Sequence, residues 1–370
     1  MIYLDYAASA VPFQEAAEKV FSCMAECWGN PGALHGAAAE PRKLLQEARK
    51  TLAAALKVRP EEVFFTSGGT ESDNHAVRFA AGHGILASAI EHPAVLRSAE
   101  AYAAQVRLVP PEPSGVVSAE RVRELLAIHP DTALVSLMYA NNETGVIQPV
   151  RDAADAAHTA GALVHCDAVQ GVGHVMPTVR ELGCDLLSVS GHKFHAPKGI
   201  GALYIRKEVT RKIAPFHYGG GQERGLRSGT LPVPLIAAFG EACAEALERR
   251  ADDDRRVCAL RDRIAAELLE IPDSVRIGGG ETMPGILNIV FAGTYGENLM
   301  LLCDLRGVCL STGSACHAGD DTPSHVLAAM GVPEEFLTSS IRISIGRYTT
   351  EEDAGRISET VRDCVRLARG

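Results

Sequence analysis

The stretch Leu186-Leu187-Ser188-Val189-Ser190-Gly191-His192-Lys193 decides how the chain is read. An apolar run of this length closed by small residues is the pattern of a buried strand, and the Ser-Gly pair lets the backbone turn sharply and approach a ligand closely. Lys193 then stands at the mouth of a sheet. A partly desolvated amine with a second cation nearby, either protonated His192 or Lys198, loses its proton readily and condenses with a carbonyl. Standing alone, such a lysine reads as an ordinary residue of a surface loop.

Outward from this stretch, strand-like and helix-like segments alternate. Apolar spacing predicts helices over 37–56, 70–81, 93–104, 118–128 and 150–160, with Ser118 and Arg121 in the places of an N-cap and N3. Strands are predicted over 63–66, 85–90, 133–138, 162–166, 186–189 and 201–205. Such alternation implies a mostly parallel sheet with helices on both faces, and ligands bind such sheets at the carboxyl ends of the strands. A long helical pattern over 234–269 contains the charged run 248–256, read as a solvated helix face or a break between two helices. Beyond it come strands over 286–291 and 341–345, a glycine-rich loop over 311–319 and a last helix from Thr350. A second, smaller unit of mixed α and β structure is expected, with the boundary near Ala251.

Composition excludes several classes. The 370 residues are 46% apolar and 22% charged, ordinary globular values for a chain long enough for a large and a small domain. A net charge of −10 argues against binding nucleic acid or an anionic membrane directly, since both need clustered Lys and Arg. Small ligands and protein partners are expected instead. Ten cysteines are scattered without Cys-x-x-Cys pairs, which suggests a reducing compartment. Cys23 and Cys27, one helical turn apart, read as packing residues among Met, Ala and Trp; no metal site is expected. With no leader-like N-terminus and no apolar run of spanning length, the expected location is cytoplasmic.

Four further strand ends finish in complementary polar groups. Thr66-Ser67-Gly68-Gly69-Thr70-Glu71-Ser72 ends a strand in two glycines and starts a helix, where free N–H groups and the Thr70 hydroxyl suit a phosphate. The Gly-Lys-Ser/Thr ending of a P-loop is absent, and Gly-Gly-Thr alone fits a turn with an N-cap equally well. Asp167, in Asp167-Ala168-Val169-Gln170, is a carboxylate at a buried strand end that needs a cationic or hydrogen-bonded partner. A protonated pyridine nitrogen would serve; the plain alternative is an N-cap. His92, in Glu91-His92-Pro93, is held extended by the following proline, so that its ring can lie against a planar cofactor and exchange protons near neutral pH. Asn142, in Asn141-Asn142-Glu143-Thr144-Gly145, sits in a turn where an amide can bind a carboxylate or a ring hydroxyl. A phosphate cradle, a partner for a pyridinium, a stacking histidine and a carbonyl-condensing lysine on successive strand ends together describe a site for pyridoxal 5'-phosphate.

At this level the chain resembles the cysteine desulfurases of the NifS and IscS type, in the class V branch of fold-type I pyridoxal-phosphate enzymes. The likeness runs from Tyr3-Leu4-Asp5-Tyr6-Ala7 to Gly346-Arg347-Tyr348-Thr349-Thr350-Glu351. Its long motifs include Phe65-Thr66-Ser67-Gly68-Gly69-Thr70-Glu71-Ser72, Asn141-Asn142-Glu143-Thr144-Gly145, Ser190-Gly191-His192-Lys193, Gly219-Gly220-Gly221-Gln222-Glu223, Arg227-Ser228-Gly229-Thr230 and Gly313-Ser314-Ala315-Cys316. The resemblance implies a large pyridoxal-phosphate-binding domain over 13–250 and a small domain over 1–12 and 251–370 that carries a catalytic cysteine. It implies that Lys193 binds the cofactor covalently, His92 stacks on its ring as an acid-base group, Asp167 pairs with its nitrogen and Gln170 meets its ring hydroxyl. Thr70, Ser190 and His192 are implied as phosphate ligands, with Thr230 contributed across a homodimer, and Asn142 and Arg342 as the substrate-carboxylate pair. Alternation of Ile341, Ile343 and Ile345 independently leaves Arg342 on the opposite face of its strand.

Cys316 is the implied sulfur acceptor, and its small and polar neighbours predict an exposed, mobile loop. The implied reaction converts L-cysteine to L-alanine and leaves the sulfur on Cys316 as a persulfide for an acceptor protein. Selenocysteine lyase or aminotransferase activity on the same fold, or a catalytically silent sulfur-relay role, are the rival readings. The sequence ends at Arg369-Gly370, without the C-terminal extension by which IscS-like members engage a scaffold. Iron-sulfur cluster assembly, tRNA thiolation and DNA phosphorothioation therefore all stay open. Ser9-Ala10-Val11-Pro12 and Phe194-His195-Ala196 depart from the family's usual stretches.

Overall fold

In the computed structural model, residues 1–313 and 323–370 are described. Cys316 lies outside the described residues. The strands are β1 (Ile2–Tyr3), β2 (Val63–Thr66), β3 (Gly84–Ser88), β4 (Gln105–Val109), β5 (Thr132–Ser136), β6 (Leu163–Asp167), β7 (Leu186–Ser190), β8 (Gly201–Ile205), β9 (Ser274–Ile277), β10 (Ile286–Phe291), β11 (Val308–Cys309) and β12 (Ser340–Ser344). Seven of them form one sheet in the order β2-β8-β7-β6-β5-β3-β4. Every neighbouring pair is parallel except those involving β8, which runs antiparallel to both β2 and β7. Two reversals restore the direction, so β2 points the same way as β3 to β7. All six therefore deliver their carboxyl ends to one edge.

The central strands β7 and β8 are buried along their whole length, as continuous apolar runs require when both sheet faces are covered. Where β8 starts, the chain comes so close to Gly68 that a Cβ on Gly201 would lie 2.7 Å from the Gly68 Cα; only glycine fits. Ser118 Oγ accepts from the Arg121 N–H at 3.2 Å, the expected cap.

The expected strands over 85–90 and 133–138 end earlier, at Ser88 and Ser136, releasing the residues that follow into the turns bearing His92 and Asn142. Edge strand β4 and the helix Gln14–Glu26 were not anticipated. Of the two readings of 248–256, the structure shows the solvated face: a single helix, Val233–Leu268, passes through Ala251 without a break. Its first half packs Ile236, Phe239 and Ala246 into the core beside the large sheet. Its second half packs Val257, Leu260 and Ile264 into another core, with Leu287, Ile289, Ile341 and Ile343 of an antiparallel sheet ordered β12-β10-β9. β1 pairs in parallel with β11, and Asp5 bridges to Ser344, so the N-terminus is woven into this second layer.

Candidate functional site

Lys193 ends a short helical turn, Gly191–Lys193, directly after β7. Its Nζ donates to the Ala7 carbonyl and, at 3.1 Å, to the Ala8 carbonyl. Gln170 Nε2 donates to the same Ala7 carbonyl at 2.9 Å, so the N-terminal segment covers both side chains. From behind, His174 Nε2 donates to the Lys193 carbonyl at 3.1 Å. His192 does not supply the expected second cation. Burial, then Lys193 and Lys198, push its pKa down to about 4, so it is neutral at physiological pH.

Asp167 closes β6 and is buried. Its Oδ1 accepts from the Val169 N–H at 2.9 Å. Burial raises the acid to about 6, opposed by that N–H and by Lys193. Two further buried carboxyls crowd it. Glu91 Oε1 accepts from Ser88 Oγ at 2.6 Å and from the Met138 N–H at 2.7 Å, and burial pushes this acid up to about 8. Burial and Asp167 raise Asp73 as well. Among the described residues Asp73 Oδ1 and Glu91 Oε2 have no hydrogen-bond partner, the Asp73 oxygen having His165 Nε2 3.6 Å away. Three buried acids, of which Asp167 feels the Lys193 amine, form the environment a protonated ring nitrogen would complete. His165 lies within it, bonded on Nδ1 to Ser136 Oγ and on Nε2 to Ser188 Oγ, both at 2.9 Å, and held neutral by burial.

His92 caps the helix Pro93–Tyr102, with backbone angles φ −60 and ψ 146 as its proline requires. Its Nδ1 accepts from the Ala94 N–H at 3.1 Å, which leaves the ring proton on Nε2. Burial, Lys193 and His325 lower its pKa to about 4. The expectation of proton exchange near neutral pH is thus corrected for the cofactor-free site: His92 is a neutral donor there.

At the next strand end, Gly68 and Gly69 pack against Ser190. A Cβ on Gly69 would stand 3.4 Å from the Ser190 Cβ and 2.9 Å from Val169 Cγ2. Thr70 is exposed in the first turn of the helix Gly69–Val77. This leaves a small cradle bordered by N–H groups, two hydroxyls and the β7 turn, with the chemistry a phosphate needs. Arg227 Nε binds Glu71 Oε1 at 2.9 Å and ties the Arg227-Ser228-Gly229-Thr230 segment to the same helix, while Thr230 itself is exposed.

Arg342 is buried rather than solvent-facing, opposite the apolar row of Ile341, Ile343 and Ile345. One guanidinium nitrogen donates to the Asn142 carbonyl at 3.1 Å, which joins the two expected carboxylate-binding residues. Another donates to Asp5 Oδ1 at 2.7 Å. Sequence reasoning missed Asp5, Asp73 and His165 and gave Glu91 and Glu143 no task. Glu91 and Glu143 carried a signal, as the neighbours of His92 and Asn142.

Residues 2–357 match the family described as Aminotransferase class-V. This is a family of pyridoxal-phosphate enzymes, and the buried acids and the glycine-serine cradle fit that cofactor. A "Cysteine desulfurase IscS" from Methanosarcina thermophila is 41% identical over 379 residues, covering 100% of this chain and 93% of the relative. Among solved structures, a NifS-like protein from Rickettsia africae ESF-5 superposes with a TM-score of 0.92 at 31% identity and 99% coverage of both chains. SspA in complex with cysteine has a TM-score of 0.83 at 32% identity, covering 95% of this chain and 100% of that one. The chain belongs to the class-V aminotransferase family, among its cysteine desulfurases of the NifS and IscS type.

Proposed function

We propose that the chain is a pyridoxal-phosphate-dependent cysteine desulfurase that converts L-cysteine to L-alanine and passes the sulfur through Cys316 to an acceptor protein. The observation that carries this reading is the convergence of Lys193, the buried Asp167 and the Asn142–Arg342 pair on one sheet edge and the layer packed against it. In this reading Lys193 holds the cofactor, Asp167 pairs with its ring nitrogen, and His92 and Gln170 meet the ring. Thr70, Ser190 and His192 hold the phosphate, His192 as a neutral donor. When bound, the cofactor supplies the electron sink for cleavage of bonds at the substrate Cα and Cβ.

The chain's own groups do the rest. Arg342 and Asn142 take the substrate carboxylate and fix the Cα geometry. Lys193 Nζ moves the Cα proton, and His92 presents its Nε2 proton to the site. The Cys316 thiolate attacks the substrate sulfur, an S–S bond forms, and the C–S bond breaks with its electron pair left on the carbon skeleton that departs as alanine.

Residues 13–250 form the cofactor-binding unit in this reading, and 1–12 with 251–370 the unit bearing Cys316. The enzyme works as a homodimer. The exposed side chains of Phe21, Trp28 and Leu34, with exposures of 78%, 76% and 100%, support a partner-covered face, and Thr230, also exposed, serves the partner's phosphate site in this reading. A cytoplasmic setting fits the nine described cysteines, all free. Among the described residues no helix is long and apolar enough to cross a membrane.

The test is incubation of the purified protein with L-cysteine, measuring alanine, sulfide and persulfide on Cys316. Cys316→Ala should retain the yellow cofactor and lose nearly all alanine formation; Lys193→Ala should lose the cofactor's absorbance. Undiminished alanine formation by Cys316→Ala would overturn the proposal in favour of another activity on this fold.

A further inference from the structure

The sequence segment that carries Cys316 is bracketed by two described points, Gly313 before it and Ser324 after it, and both meet the same buried carboxyl. Ser324 Oγ donates to Glu143 Oε2 at 2.6 Å. The same hydroxyl accepts from the Leu327 N–H at 3.2 Å, so it also caps the helix that follows. Gly313 packs on the same carboxylate oxygen, for a Cβ there would lie 2.7 Å from Oε2. A side chain there would have to push the Glu143 carboxyl aside.

The flanking residues are fixed to the site too. Ser311 and Arg342 exchange backbone hydrogen bonds of 3.2 and 2.7 Å, and His325 Nε2 donates to the Glu91 carbonyl, next to His92, at 3.0 Å. Glu143 is itself held rigidly: its N–H donates to Asn141 Oδ1 at 2.9 Å, and its carbonyl accepts from Asn288 Nδ2 at 3.3 Å. The adjacent Asn142 carbonyl accepts from Arg342.

We propose that Glu143 is a positioning residue for sulfur transfer: its carboxyl holds both ends of the Cys316 segment in register with the Asn142–Arg342 end of the site. The inference rests on the desulfurase reading. A buried acid is costly unless its oxygens are bonded, and here a bond and a close contact are both spent on the two ends of one segment. Misplacing a reacting group by about 1 Å costs on the order of a hundredfold in rate, so looser ends should slow transfer at Cys316 while binding of cysteine persists.

The experiment uses the full-length holoenzyme with Ser324→Ala, Ser324→Thr and Glu143→Ala. Three quantities are read: the single-turnover rate of persulfide formation on Cys316, the Kd of cysteine from the cofactor's absorbance change, and, in cofactor-free protein, the rate of Cys316 alkylation by iodoacetamide resolved by peptide mass. Ser324→Ala and Glu143→Ala should lower the persulfide rate by about tenfold or more. Cysteine Kd should stay within about twofold and the alkylation rate should change at least about threefold. Ser324→Thr, which keeps the hydroxyl, should restore most of the rate. A folded Ser324→Ala with wild-type persulfide and alkylation rates refutes the proposal, and this variant decides if Glu143→Ala does not fold. Should the wild type form no persulfide, the desulfurase reading fails, and the alkylation rates alone decide the positioning of the segment.

Discussion

Replacing Asp5 by Asn separates the two tasks of Arg342. The pair is short, 2.7 Å, and its side chains are 2% and 25% exposed. Removing one partner of a buried ion pair costs about 3–5 kcal/mol, because the remaining charge stays buried, and the partial exposure of Asp5 puts this case near the lower end, about 3 kcal/mol. An unfolding entropy of about 2.1 cal/mol/K per residue gives about 0.8 kcal/mol/K for 370 residues, so Tm should fall by about 4 °C in one cooperative transition. Calorimetry of the cofactor-free protein measures this. The double variant Asp5→Asn/Arg342→Met removes both charges and should recover at least half of the loss. Added L-alanine, whose carboxylate no longer competes with Asp5, should raise Tm more in Asp5→Asn than in wild type. A single variant within 1 °C of wild type, or a double variant less stable than the single one, would refute the reasoning.

Glu91 makes the cofactor-free protein sensitive to pH. Its folded pKa, raised to about 8 by burial, means the native state keeps a proton that the unfolded chain gives up above about 4.5; stability therefore falls as pH rises toward 8. His92, His192 and His195, each lowered to about 4, act in the opposite sense but only below about pH 6.5. Stability should thus fall between pH 7 and 8, with Glu91 contributing up to about 1.4 kcal/mol per pH unit, and Tm should fall with it; Glu91→Gln should shrink that drop measurably, and an unchanged slope disproves the assignment. Glu223, in Gly219-Gly220-Gly221-Gln222-Glu223, forms a bidentate buried pair with Arg49 at 2.6 and 2.8 Å and accepts from the Phe65 N–H. Glu223→Ala should lower stability by about 3–5 kcal/mol, measured by denaturant unfolding, with partial recovery in Arg49→Met/Glu223→Ala. Asp167→Asn should weaken pyridoxal-phosphate binding at least about tenfold by fluorescence titration, since the neutral amide no longer balances a protonated ring nitrogen.

What was legible in the sequence follows from how each feature is encoded. Buried parallel strands are continuous apolar runs, so their ends show as the places where Asp167, Ser190-Gly191-His192-Lys193 and Glu91-His92 begin. Strand direction is not encoded in such a run: 201–205 reads like its neighbours, yet β8 is antiparallel, because the chain returns through a short connection after Lys193. Edge strand β4 was missed because its residues are mostly exposed or half-buried and give no apolar run. The largest omissions are pairings across the chain. Asp5 lies 337 positions from Arg342 and Glu143 lies 181 from Ser324, and a local pattern carries no trace of either contact. Protonation states fail for a related reason: His92 and His192 would titrate near neutral pH as isolated residues, and burial beside Lys193 moves that titration down to about 4. The strand ends thus expose the residues proposed to hold the cofactor, whereas the groups that set their charge and position come from distant segments. Asp5 shows what that division means for function. Arg342 is recognisable from its strand alone, but in the proposed reading its readiness for a carboxylate is set by Asp5, just beyond β1 at the other end of the chain, so that the N-terminal segment belongs to the proposed substrate site as much as β12 does.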